Sequence, residues 1–136
     1  MVRLSPGASW SRARVTSKRK NSAGNNIRAI ALLAGGYAGN AATGTITAVN
    51  AAGVYIGGLA GTLHNAGLIA TSGGTHSPVV LFAGGYVSNA ATGTINATAD
   101  TSSSAIYINH GLGTVVNAGL VLAPATAINL KAGGSI

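Results

Sequence analysis

The chain has 136 residues, about one ordinary domain, of which 47% are hydrophobic, 4% aromatic and 7% charged. Eight Lys or Arg stand against one acidic residue, Asp100, which excludes a helical globule with charged outward faces and a glycosidase built on paired carboxylates. There is no cysteine, so disulfides and thiolate metal ligation are excluded as well.

Seven of the basic residues, Arg3, Arg12, Arg14, Lys18, Arg19, Lys20 and Arg28, precede position 29. Residues 1–28 therefore read as a basic, Ser-rich leader that is expected to be disordered, and residues 29–136 as a nearly neutral body in which Lys131 and Asp100 cancel. The run RARVTSKRK is accompanied by one aromatic, Trp10, and by no nucleic-acid-binding motif, so no specific nucleic acid is expected as a partner. Basic KRKNSAGNNIR followed by apolar AIALLAGG has the order of a secretion signal. Its apolar part is short and in register with later repeats, so it is read as a strand, and the chain carries no clear signal peptide. Gly, Asn or Thr interrupts every apolar run well short of the ~18 residues of a membrane-spanning helix.

From Ile30 onward the chain repeats itself. LLAGGYAGNAATGTITA, from Leu32 to Ala48, returns as LFAGGYVSNAATGTINA, from Leu81 to Ala97, with thirteen of seventeen residues kept. Aligned on Asn before a Gly-X-Ile or Gly-X-Val element, four copies appear, at Asn40, Asn65, Asn89 and Asn117, spaced 25, 24 and 28 residues apart. NAATGTI and NAGLI or NAGLV alternate, so the larger unit is a pair of smaller ones. Before each Asn stands a period-two pair, Ile30 and Leu32, Val54 and Ile56, Val79 and Leu81, Ile106 and Ile108, and finally Ile128 and Leu130. That spacing predicts strands with Ala31, Tyr55, Val80, Tyr107 and Asn129 facing outward. A second strand is expected to end at Leu63, Val87, Val115 and Ile136, and a third carries Ile46, Ile69, Ile95 and Val121.

Three short strands in each unit of this length describe one turn of an all-β, single-stranded parallel β-helix solenoid, here about four turns plus a truncated fifth. Inward residues then stack in columns. Ile46, Ile69, Ile95 and Val121 form a core column, and Asn40, Asn65, Asn89 and Asn117 a structural ladder of side-chain amides. Glycines such as Gly36, Gly85 and Gly134 supply positive φ at the bends. A lone turn buries too few aliphatic groups to offset the entropy of ordering its backbone, so the second copy exists to be stacked on the first. The last residues, AINLKAGGSI, start another turn and stop before its Asn, so the repeat region is expected to be incomplete and uncapped at its C-terminal end.

The turns GGYVSNAATGTINA and TVVNAGLV resemble the repeats of bacterial autotransporter passenger regions and haemagglutinin-like adhesins of type V secretion, over approximately residues 29–136. The resemblance implies a right-handed solenoid, displayed at the cell surface or outer membrane or secreted, with an outer-membrane translocator barrel as a partner in the full-length protein. It further implies a structural or adhesive stalk, without catalysis, that contacts host-cell or matrix glycans and proteins or associates with itself. Two alternatives stand beside this: an incomplete or nonfunctional fragment of such a protein, and a fragment of a carbohydrate-active β-helix protein.

Enzymatic readings fail on chemistry, because Asp100 alone provides neither an acid and base pair nor a carboxylate cluster for a cation. His64, His76 and His110 have no Cys or Glu to complete a metal site. His64 and His110 are expected on one face, two turns apart. AGGYAG and GGLAG lack the Gly-Lys-Ser/Thr ending of a phosphate loop and read as corners. No catalytic residue, metal or cofactor is expected. Tyr37, Tyr55, Tyr86 and Tyr107 are the candidate surface contacts, with stacking between turns as their structural role.

Overall fold

Short period-two runs punctuated by Gly and Asn cannot pair with their sequence neighbours, because each corner turns the chain through only part of a circle. They pair instead with the equivalent run of the next repeat. In the computed structural model, which describes residues 15–16, 28–98 and 102–136, this gives a β-solenoid with strands and turns only. Of the basic leader, Arg28 and a two-residue strand, β1 (Val15–Thr16), are described. Asp100 lies outside the described residues.

The first coil contains β2 (Ile30–Leu32), β3 (Gly36–Asn40) and β4 (Thr45–Val49), and the second β5 (Val54–Ile56), β6 (Gly61–Asn65) and β7 (Leu68–Ser72). The third has β8 (Val79–Leu81), β9 (Gly85–Asn89) and β10 (Thr94–Ala97), and the fourth β11 (Ser104–Ile108), β12 (Gly113–Asn117) and β13 (Leu120–Leu122). β14 (Thr126–Leu130) and β15 (Gly134–Ser135) begin a fifth. Stacking the coils makes three parallel sheets of five strands each: β2-β5-β8-β11-β14, then β3-β6-β9-β12-β15, then β1-β4-β7-β10-β13. They are called here the first, second and third sheets. β1 joins the third through Val15 opposite Ile46 and Thr16 opposite Thr47.

Strand register turns the sequence columns into spatial ones. Ile46, Ile69, Ile95 and Val121 are successive partners in the third sheet. The three isoleucines are fully buried, and Val121 is half-buried on the fourth coil. Leu32, Ile56, Leu81, Ile108 and Leu130 form a matching column in the first sheet. Each fully buried aliphatic side chain contributes roughly 1.5–3 kcal/mol, and every one rests on a residue from another coil.

The second-sheet strands run two residues further than expected. They end on Asn40, Asn65, Asn89 and Asn117 rather than on Leu63, Val87 and Val115, and Ile136 follows the end of β15. The backbone of the asparagines continues the pairing, the carbonyls of Asn40, Asn65 and Asn89 accepting from the N–H of Ala66, Ala90 and Ala118 one coil on, so the strand lasts until the corner proper. Ala38, opposite Leu63, is the first-coil member of that column. A pair of glycines opens the second sheet in the first, third and fifth coils, where Gly36, Gly85 and Gly134 have φ of 120°, 133° and 144°. A Cβ on Gly85 would collide with the carbonyl oxygen of Gly61 one coil away, so both conformation and clearance demand glycine there.

Candidate functional site

The four asparagines form one directional chain of hydrogen bonds through the corner between the second and third sheets. Asn40 Nδ2 donates to Asn65 Oδ1 at 2.8 Å, Asn65 Nδ2 to Asn89 Oδ1 at 2.8 Å, and Asn89 Nδ2 to Asn117 Oδ1 at 2.9 Å. The remaining donor capacity closes the corner itself, as where Asn65 Nδ2 reaches the Gly67 carbonyl at 2.9 Å. Gly67 is confined there, because a Cβ would strike the carbonyls of Ala41 and Gly44. The polarity of the chain leaves its first acceptor, Asn40 Oδ1, buried without a donor among the described residues. With its amide donors engaged in this way, the ladder holds the coils together.

The outer faces are where the structure presents side chains to solvent, and it divides the four tyrosines between two of them. Tyr37 and Tyr86 lie on the second sheet, both opposite Thr62, with His64 wedged between the two rings at centroid distances of 5.4 and 5.7 Å. His64 Nδ1 also shares a 2.8 Å hydrogen bond with Ser88 Oγ. A shallow groove of about 300 Å³ runs beside them, bordered by Gly39, Ala41, Ala66 and Ala90.

Tyr55 and Tyr107 lie on the first sheet, both opposite Val80, which separates them, so neither tyrosine pair stacks directly. Tyr55 lies flat along its strand, because Gly57, two residues on and on the same face, has no Cβ to push the ring away: one there would sit 2.8 Å from the phenol oxygen. Flattened, the ring reaches Phe82 at 6.2 Å, and Phe82 reaches His110 at 4.4 Å. The Arg28 guanidinium covers the Tyr55 ring, 3.8 Å from its centroid. A row of cation, phenol, phenyl and imidazole thus crosses the coils at the rim of the first sheet.

Opposite this row, the loops carrying Thr75, His76 and Ser77 and Ser102, Ser103 and Ser104 rise beside the same sheet. Together they enclose a groove of about 350 Å³, with Val80, Tyr107 and Asn129 along its length. Its two walls differ in chemistry: one is aromatic and cationic, the other hydroxyl-bearing. Such a groove can bind a ligand having an apolar face and a polar edge.

Sequence reasoning assigned Arg28 to the leader and did not single out Phe82. The available signal was the change from LLAGG to LFAGG between otherwise matching repeats, together with glycine two places after Tyr55. The expectation that His64 and His110 share a face is corrected. Through Gly61, Gly85 and Gly113, His110 is the counterpart of Gly58, and Val116 is the counterpart of His64. His110 accordingly stands at a corner with φ of 56°, as Gly58 does with φ of 82°. No group of three or more metal-ligating side chains occurs among the described residues. Compared with protein-family models, curated proteins and solved structures, the chain matches none.

Proposed function

We propose that the chain is a structural and adhesive segment of a bacterial surface-exposed or secreted protein of the autotransporter type, and that it acts by contact rather than by catalysis. The observation carrying this reading is the pair of aromatic rows on the outer faces of a scaffold whose core is a continuous stack. The aliphatic columns point inward and the asparagines line one corner, so the outer faces carry side chains that the core does not need. Those faces are apolar and hydroxyl-rich. Leu33, Leu59, Phe82 and Leu112 are exposed along the corner between the first and second sheets, a concentration of apolar surface that favours contact with a partner. With a single carboxylate in the chain, acid and base chemistry on a glycoside has no pair of groups to perform it.

The test is binding by the purified chain to cultured host cells, to immobilised extracellular matrix and glycans, and to itself by sedimentation. Saturable binding to any of these supports the adhesive reading. A chain that remains monomeric and binds none of them overturns it.

A further inference from the structure

We infer that the first-sheet groove is a saccharide site, and that the sugars it takes carry an anionic group; this deepens the adhesive reading and rests on it. Both sides of each central first-sheet strand are already paired in register, so an incoming peptide finds no free backbone edge there. Recognition must come from side chains. A pyranose ring has an apolar C–H face and a rim of hydroxyls, and the groove has the complementary pair of walls. Phe82, 42% exposed, supplies the flat ring, beside the Tyr55 ring that the Arg28 guanidinium covers. His76 and Ser103 stand on the opposite wall. Ser103 is only 3% exposed, and its hydroxyl has no hydrogen-bond partner among the described residues, an unusual condition for a buried polar group and one that a ligand hydroxyl reaching it would relieve.

Charge then selects among sugars. Arg28 borders the groove, held there by its stacking on Tyr55, in a chain with eight Lys or Arg and one acidic residue. A carboxylate or sulfate on the sugar would accept the planar guanidinium fork while the ring packs beside Phe82. Tyr107 extends the site to the next coil along the groove, so an oligosaccharide, rather than a single sugar, matches its length.

The deciding experiment is calorimetric titration of the full chain with a galacturonate hexamer, with neutral maltohexaose and with inorganic sulfate. It is repeated on Arg28→Gln, Phe82→Ala and Ser103→Ala, with thermal unfolding verifying that each variant folds. The hexuronate is expected to bind in preference to the neutral sugar. Arg28→Gln should abolish that preference, and Phe82→Ala should weaken binding by about tenfold, the loss of one good ring contact. Ser103→Ala, which fills the same space without a hydroxyl, should weaken binding without lowering the unfolding temperature. Equal binding of maltohexaose, or sulfate binding as strongly as the hexuronate, overturns the proposal, as does hexuronate binding that the folded variants leave unchanged. Hexuronate binding that the folded variants leave unchanged, from a chain that does bind cells or matrix, overturns the site and retains the adhesive reading. Hexuronate binding lost in the variants, from a chain that binds no cell or matrix, retains the site and overturns adhesion.

Discussion

Asn65 donates to Asn89 and to the Gly67 carbonyl while accepting from Asn40, all within a buried corner. Asn65→Ala leaves several buried polar groups without partners and is expected to cost about 2–3 kcal/mol in urea unfolding. Asn117 is exposed and only receives a bond from the preceding rung, apart from its own reach to Gly119 at 3.1 Å. Asn117→Ala should therefore cost less than about 1 kcal/mol, and equal losses at the two positions would show that the ladder is not a cooperative chain. Glycines differ just as sharply. Gly85→Ala combines a left-handed backbone with a backbone collision and is expected to lose about 3–5 kcal/mol. At Gly133, φ is 84° but the nearest atom to an added Cβ is 4.0 Å away, so alanine there should lose only about 1–2 kcal/mol from backbone strain. Thermal unfolding of the two variants checks the difference.

Each strand contributes one or two inward side chains to a column, and its value depends on having a coil on both sides. Ile69 lies between Ile46 and Ile95 and is fully buried. Truncation to alanine should cost about 2–5 kcal/mol, because the neighbouring coils cannot collapse into the cavity without breaking register. Val121 ends the same column half-buried, and Val121→Ala should cost about 1 kcal/mol. Denaturant midpoints at constant slope distinguish these values, and a loss at Val121 as large as at Ile69 would contradict the stacking account. The outer positions of the first-sheet strands are free to vary, as Tyr55, Val80 and Tyr107 do at one register position.

A molecule made of coils that touch only their neighbours has a stability that grows by addition. Inserting a second copy of residues 41–89 after Asn89 preserves the alternation of long and short corners, so the new coils can enter the stack in register. The extended chain is expected to unfold at higher urea concentration and with a steeper slope, since it buries more surface. Hydrogen exchange should be slowest in the second and third coils, which have partners on both sides, and faster in β13 and β14. An unchanged midpoint in the extended chain would mean that the coils do not stabilise one another.

Much of the solenoid was legible in the residues themselves, because a stacked architecture writes its columns as a repeat. The spacing of Asn40, Asn65, Asn89 and Asn117 marks one corner of each coil, and the period-two pairs mark the first sheet; the identity of inward residues follows from both. These are local constraints of pairing and burial, imposed anew at every turn, so they recur in the sequence. The outer faces obey no such constraint, and there the residues alone misplaced His110 relative to His64 and left Arg28 outside the body. Whether an outward side chain meets another depends on which glycine lets a ring lie flat, which corner is longer, and which coil happens to stack above. The groove between Phe82 and the Ser103 loop was decided by tertiary structure alone, because its walls come from different coils whose proximity is a property of the stack.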